Sequence, residues 1–177
     1  MLMLKNSWNK RLNGKHSLVA GAFLLLVILG AKIDLDLGGT VSFTLQTLFL
    51  GLAYFYLPGP WKLVFIAVYL SLGIAGFSVF NGGAGWDYFS SWPLGFFVGF
   101  ILAAVVPKPT SNTFFSTLVY ITQIQLVIVL LGVMWLAYFT GSFSKGLETL
   151  AELVPGIVIK SLAGAGVVGL VKGFKKA

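Results

Sequence analysis

Cysteine is missing from the sequence, and histidine occurs once, as His16. The first absence removes disulfides and thiolate metal sites. The second leaves too few ligands for a metal centre and no base for a Ser-His-Asp triad. Acidic residues are almost as scarce: Asp34, Asp36, Asp87, Glu148 and Glu152 are all five of them. No pair of carboxylates, no histidine and no cysteine falls within the apolar runs, so neither enzyme activity nor a metal or resident cofactor is expected. There is also no G-x-x-x-x-G-K-[ST] phosphate loop, and any ATP chemistry must therefore lie in partners.

Apolar residues are what the chain has in plenty. Hydrophobic residues make up 58% and charged ones only 10%, against roughly 45–50% and 25% in an ordinary soluble domain. A soluble chain of 177 residues needs far more polar surface than this. The composition predicts an all-α integral membrane protein. The net charge of +7 does not indicate nucleic acid, because the Lys and Arg residues flank apolar segments instead of clustering on a soluble face.

About 20 apolar residues cross a bilayer core as a helix, and the charges divide the chain into six such runs. They cover about residues 17–34, 40–57, 63–80, 93–107, 115–140 and 156–172, behind a basic arm at 1–16. Pro58-Gly59-Pro60 makes a tight turn after the second run, and Pro155-Gly156 opens the sixth. The expectation is a single domain over 1–177, a six-transmembrane-helix bundle with no soluble appendage. The first run is read as a retained helix and not as a cleaved signal peptide, since Gly30-Ala31-Lys32 is a poor A-x-A site and five spans follow.

An even number of spans places both termini on one side. Lys5, Lys10, Arg11, Lys15, Lys62, Lys108, Lys172, Lys175 and Lys176 fall on that side, and every carboxylate falls on the other. By the positive-inside rule the termini are cytoplasmic, in a multi-pass protein of the plasma membrane.

Three places on the outer side carry polar chemistry. The stretch "SVFNGGAGWDYFSSWPLGF", residues 78–96, interrupts the apolar runs with Asn81, Gly82, Gly83, Trp86, Asp87 and Tyr88. Its Asn-Gly and Gly-Gly pairs are turn signals, and its aromatics fit an interfacial belt. Equally, glycines let a backbone approach a ligand closely, while aromatics with polar tips line pockets. Thr44, Gln46 and Thr47 are uncharged hydrogen-bonding groups at the start of the second span, suited to helix capping or to a ligand. Lys160 lies about one turn into the sixth span. An ionisable group costs roughly 2.5–3.5 kcal/mol at the bilayer centre and is a functional candidate, the alternative being snorkelling to the headgroups. Two sets of small residues complete the pattern: Ser17 and Gly21 on the first span, and Gly164, Ala165, Gly166 and Gly169 on the sixth. The first set is a docking face or a packing face within the bundle, and the second suits close packing.

The stretch "FTLQTLFLGLAYFYLPGPWKLVFIAVYLSLGIAGFSVFNGGAG" resembles the BioY family, the biotin-specific S components of energy-coupling factor (ECF) vitamin transporters. Leu45-Gln46-Thr47, Gly59-Pro60, Leu72-Gly73, Gly76, Val79-Phe80 and Gly82-Gly83 follow the family's order. "GFFVGFILAA" at 95–104 is similar to the family's "GYLIGF" span, and "PGIVIK" to its "PGDxxK". The resemblance is dense over residues 37–107 and sparse elsewhere. It implies a six-helix membrane bundle that captures biotin outside and delivers it to the cytoplasm. It also implies a coupling transmembrane protein and ATPase subunits as partners, though some members are thought to act without them. Biotin asks for amide-type groups at its ureido ring, aromatics at its thiophane and a cation at its carboxylate. Thr44, Gln46, Asn81, Gly82, Gly83, Trp86, Asp87, Tyr88 and Lys160 are the residues expected to supply them.

Three departures bear on the ligand. Ile157 stands where the family motif has Asp, so Lys160 has lost an acidic neighbour; the "GPTGG" before span four reads Ser91-Trp92-Pro93-Leu94-Gly95; and Trp86 and Asp87 replace small uncharged residues. An S component for a different vitamin or small anion therefore stays open, as does a membrane assembly protein that transports nothing.

Overall fold

The computed structural model describes residues 14–35, 43–111 and 113–172 of the chain. Most of the basic arm, Asp36, Lys175 and Lys176 lie outside the described residues. Among the described residues, seven helices and one two-stranded ribbon make up the fold. They are α1 (Gly14–Lys32), β1 (Asp34–Leu35), β2 (Phe43–Thr44), α2 (Gln46–Tyr56), α3 (Gly59–Ile74), α4 (Gly85–Phe89), α5 (Leu94–Ala103), α6 (Phe114–Thr140) and α7 (Phe143–Lys172). The strands run antiparallel, with Asp34 opposite Thr44 and Leu35 opposite Phe43.

The surface reads as a membrane protein's. Leu18, Leu25, Leu29, Phe115, Met134, Val158 and Leu170 are exposed, while Lys62, Thr117, Gln125, Thr149, Lys160 and Ser161 are buried. In water, such a continuous apolar exterior would aggregate; in lipid it is the favoured solvent-facing surface. Three helices, Gly14–Lys32, Phe114–Thr140 and Phe143–Val171, are long and apolar enough to cross a membrane, and Gly59–Ile74 and Leu94–Ala103 are shorter apolar helices. α2, buried on most of its faces from Leu50 to Phe55, is the centre of the bundle.

The helix ends differ from the expected spans in an instructive way. α2 has 11 residues, α3 has 16 and α5 has 10, so α2 and α5 are each about 15 Å long, half of a bilayer core of about 30 Å. α3 stops at Ile74, not at residue 80, because Gly76 takes φ +96°. The amides of Gly76 and Phe77 then bond to the carbonyls of Gly73 and Leu72, which is a Schellman termination. α5 begins at Leu94 only after the single turn of α4 and the Pro93 corner. The missing helical length of α2, α3 and α5 is thus replaced by the short strand β2 and by non-helical chain at 75–84 and 90–93, all at one end of the bundle. Backbone of this kind is tolerated at membrane depth only where protein buries it or where it lines a cavity.

The sixth expected span also starts elsewhere. Pro155 does not open a helix but sits inside the 30-residue α7. A proline removes one N–H and clashes with the preceding turn, yet the helix formers of "LETLAELV" carry the helix up to it, and neighbouring helices can absorb the lost bond.

Small residues set the closest approach. A Cβ on Gly99 would lie 2.7 Å from Ile128 Cα, and one on Gly95 would lie 2.4 Å from the Leu131 carbonyl oxygen, so α5 rides directly on the α6 backbone. Gly164 of α7 meets the side chains of Ile121 and Leu48, but a Cβ on Gly166 would touch nothing. Ser17 and Gly21 are exposed, and a Cβ on Gly21 would also meet nothing. Among the described residues, nothing packs against Gly21 on this face of α1.

Candidate ligand-binding site

A cavity of about 220 Å³ lies at the end of the bundle where the three short helices give way to irregular chain. Two kinds of wall enclose it. Phe80, Tyr88, Trp92, Phe96, Phe97 and Phe100 make one, and Asp34, Thr44, Gln46, Thr47, Asn81 and Lys160 make the other, with Ile128, Val129, Leu153 and Ile157 closing the side.

The aromatic wall is rigid because its rings pack on one another. Phe80 lies 4.4 Å from Phe97 between centroids, Phe89 stacks on Phe97 at 5.1 Å, and Tyr88 stacks on Phe80 at 6.1 Å. Gly73 admits the tip of the Phe80 ring, and Gly83 admits the Tyr88 ring, where an added Cβ would come within 2.2 Å. The Tyr88 hydroxyl donates to the Asn81 carbonyl, and burial raises its phenol above the ordinary value, so it stays a neutral donor. Residues 78–93 are therefore a packed loop with a helical turn and not a flexible surface turn. Gly82, at φ +82°, supplies the left-handed corner that brings Asn81 to the rim.

The polar wall is organised around Lys160, which is only 7% exposed. Its Nζ donates to Thr47 Oγ1 at 2.8 Å and to the Thr44 carbonyl at 3.4 Å, and lies 4.9 Å from the Phe43 ring centroid. The ammonium points into the protein, and snorkelling does not describe it. Thr47 Oγ1 in turn donates to Gln125 Oε1 at 3.4 Å, while Gln125 Nε2 donates to Ser161 Oγ and the Ile157 carbonyl. Gln46 Nε2 donates to the Tyr69 hydroxyl, which donates to the Val79 carbonyl. These polar groups at the start of α2 are not caps. The N-cap position is Leu45, with no side-chain cap.

At the rim, Asn81 Nδ2 donates to Asp34 Oδ2 at 3.1 Å. Lys32 Nζ reaches Ser78 Oγ and the Phe80 carbonyl, tying the end of α1 to the same loop.

Of the residues expected from the sequence, Thr44, Gln46, Asn81, Gly82, Tyr88 and Lys160 line the cavity. Gly83 stands behind Tyr88. Trp86 and Asp87 do not line it: Trp86 is 62% exposed and Asp87 is exposed on the outer side of α4, because a five-residue helix turns Tyr88 inward and its two predecessors out. Asp87 is thus not set to pair with Lys160. Missed by sequence reasoning were Asp34, whose charge at the end of the first span was its only signal, and Gln125, an amide in the apolar run "ITQIQLVIVLL". The phenylalanines of α5 gave no signal, since in sequence they are ordinary membrane residues. Among the described residues no cluster of three or more His, Cys, Asp or Glu could hold a metal ion.

Chemically, the cavity offers a buried ammonium, amide and hydroxyl groups, a rim carboxylate and an aromatic face. That set matches a small molecule with an apolar body, hydrogen-bonding groups and one negative end. Comparison with known proteins points the same way. A family model described as the BioY family matches residues 6–176. A probable biotin transporter BioY of Pyrococcus horikoshii is 36% identical over 146 residues, covering 80% of this chain and 86% of that relative. The biotin transporter BioY of Thermotoga maritima is 38% identical over 88 residues, 49% of this chain and 52% of the relative. Among solved structures, the S-component for biotin from an ECF-type ABC transporter superposes with a TM-score of 0.77 at 18% identity, covering 91% of this chain and 92% of that one. The bundle accordingly has the S-component fold, and the chain belongs to the BioY family.

Proposed function

We propose that this chain is the biotin-binding membrane component of a vitamin uptake transporter. One observation carries the reading: Lys160 is buried in an aromatic-walled cavity, and among the described residues its partners are the neutral Thr47 hydroxyl and Thr44 carbonyl and the Phe43 ring. A buried ammonium without a counter-charge is costly, and a ligand carboxylate supplies that charge. The thiophane and valerate of biotin then lie against Phe80, Phe97 and Phe100. The ureido ring finds amide and carboxylate groups at Gln46 or at the Asn81–Asp34 pair.

Capture takes place at the outer face and delivery at the cytoplasmic face, with both termini cytoplasmic. The charge sorting supports this direction, since Asp34 and Asp87 lie at the cavity end, while Lys62, in the first turn of α3, and Lys108, between α5 and α6, lie at the other. Energy comes from partners, an ECF coupling protein and ATPase subunits, because the sequence holds no phosphate loop. The exposed Ser17–Gly21 face of α1 is the docking surface this reading favours.

Ile157 favours a second reading, in which the same scaffold binds another carboxylate-bearing vitamin. It lines the cavity as an apolar surface where the family motif has an acid. Thermal unfolding of the detergent-solubilised protein with a panel of vitamins separates the two. Biotin should raise the midpoint by several degrees at concentrations well above its Kd. A shift with another member of the panel and none with biotin would transfer the function to that ligand.

A further inference from the structure

A second buried lysine lies at the opposite end of the bundle, and the cavity chemistry does not use it. Lys62 is 3% exposed, in the first turns of α3, while the cavity opens near the far end of that helix. Its Nζ donates to the Tyr120 hydroxyl at 2.9 Å and to the Val106 carbonyl at 3.1 Å. It also lies 5.4 Å and 5.9 Å from the ring centroids of Tyr120 and Tyr54. Tyr120 Oη donates onward to the Tyr54 carbonyl at 3.1 Å, and Tyr54 Oη donates to the Phe100 carbonyl at 2.7 Å. The chain of bonds joins α3, α6, α2 and α5 in that order and ends on a residue whose side chain lines the cavity.

Such a network is expensive. A methionine would fill the space of Lys62 without bringing an ammonium out of water, and replacing buried charges by apolar groups of similar volume is often stabilising. Ionisable groups in the interior of a membrane bundle are functional candidates by default. What the network adds over an apolar plug is direction, since each bond fixes the carbonyl of one helix against the side chain of another. Its last acceptor lies in the cavity floor. Phe100 packs on Phe97 at 5.8 Å and on Tyr69 at 6.5 Å, and the Tyr69 hydroxyl receives Gln46. Movement of the Phe100 backbone therefore disturbs the aromatic wall and the Gln46 amide together.

We propose that Lys62, Tyr120 and Tyr54 are positioning residues for the ligand cavity: they lock the closed end of the bundle and thereby hold Phe100, and through it Tyr69 and Gln46, in binding geometry. The inference rests on the reading of the cavity as a biotin site. None of the three side chains touches the ligand.

Biotin affinity by calorimetry, thermal midpoint and backbone hydrogen exchange across residues 98–106 test it together on the purified full chain. Lys62→Met and Tyr54→Phe should each weaken biotin by about three- to tenfold, and the double variant should be little weaker than the worse single one. Both should raise exchange in 98–106, and Lys62→Arg should recover part of the affinity. Val168→Ala, which removes buried volume in α7 away from the cavity, should lower the midpoint without altering affinity or exchange in 98–106. Tyr54→Phe removes one oxygen only and keeps the test valid if Lys62→Met does not fold. Unchanged affinity in Tyr54→Phe despite a lowered midpoint would overturn the proposal, as would strict additivity of the two changes. Failure of the unmodified protein to bind biotin would instead sink the functional reading. Hydrogen exchange, which needs no ligand, would then decide whether the network holds the 98–106 segment, and no rise in Lys62→Met or Tyr54→Phe would overturn it.

Discussion

Lys160 and Ile157 stand one turn apart on α7 and border the same cavity. With an acid at 157 the lysine would have an internal counter-charge; with isoleucine, packed against Val129, Val133 and Leu153, its remaining partners are neutral. Among the described residues the ammonium is held by the Thr47 hydroxyl and the Thr44 carbonyl beside the Phe43 ring. Lys160 was legible in the sequence as an ionisable residue in an apolar run. Its surroundings were not, because Thr47, Gln125 and Ser161 come from three helices and meet only in the fold. The same limit explains Trp86 and Asp87, where composition marked the loop but could not say which of its side chains the turn of α4 directs inward. Gly83 gives a test at this scale. Gly83→Ala places a methyl against the Tyr88 ring and must push it, so biotin affinity should fall about tenfold or more while Gly166→Ala leaves it unchanged. Calorimetry on both variants checks this, and equal affinity in Gly83→Ala would show that Tyr88 is not a wall of the site.

Element boundaries followed hydropathy only partly. The residues of "AGFSVF" are apolar enough to extend the third span to Phe80, but the left-handed Gly76 ends the helix six residues earlier. Hydropathy registers what lipid tolerates and is blind to whether the backbone is helical. Proline misleads in the other direction, since Pro155-Gly156 reads as the start of the sixth span while Pro155 lies mid-helix. The pairing of α5 with α6 is a finding of the structure that the small-residue sets named from the sequence do not include. Gly95 and Gly99 are four apart on one face, and the α6 backbone lies against both. Gly99→Ala puts a methyl 2.7 Å from a backbone atom that cannot rotate away, and overpacking of this sort costs about 1–3 kcal/mol. Thermal unfolding in detergent should show a lowered midpoint for Gly99→Ala. For Gly166→Ala, where the space is open, an unchanged or slightly higher midpoint is expected, since alanine is the better helix former. An undiminished midpoint in Gly99→Ala would mean that α5 and α6 are not in direct backbone contact.

At the scale of the whole molecule, the fold places its expensive features at two ends. Irregular backbone, the rim carboxylate and the Lys160 cavity occupy one; the Lys62 network closes the other. A capture protein needs this asymmetry, with a cavity at one end above a closed base. Orientation follows from the proposed function and is testable alone. Cysteines replacing Asp87 and Glu148 should react with an impermeant maleimide in whole cells, and one replacing Lys108 should not. Labelling at Lys108 alone would invert the protein in the membrane.

The central claim, that the cavity takes biotin with its carboxylate on Lys160, reduces to one calorimetric comparison of four titrations. Biotin and biotin amide are titrated into the unmodified protein and into Lys160→Met, which keeps the apolar stem and removes the charge. A charge-assisted contact in a desolvated site contributes about 1.5–3 kcal/mol, so Lys160→Met should weaken biotin by about ten- to a hundredfold. Biotin amide, already lacking the charge, should lose little on the same change. Equal losses for the two ligands, or none for either, would contradict the account.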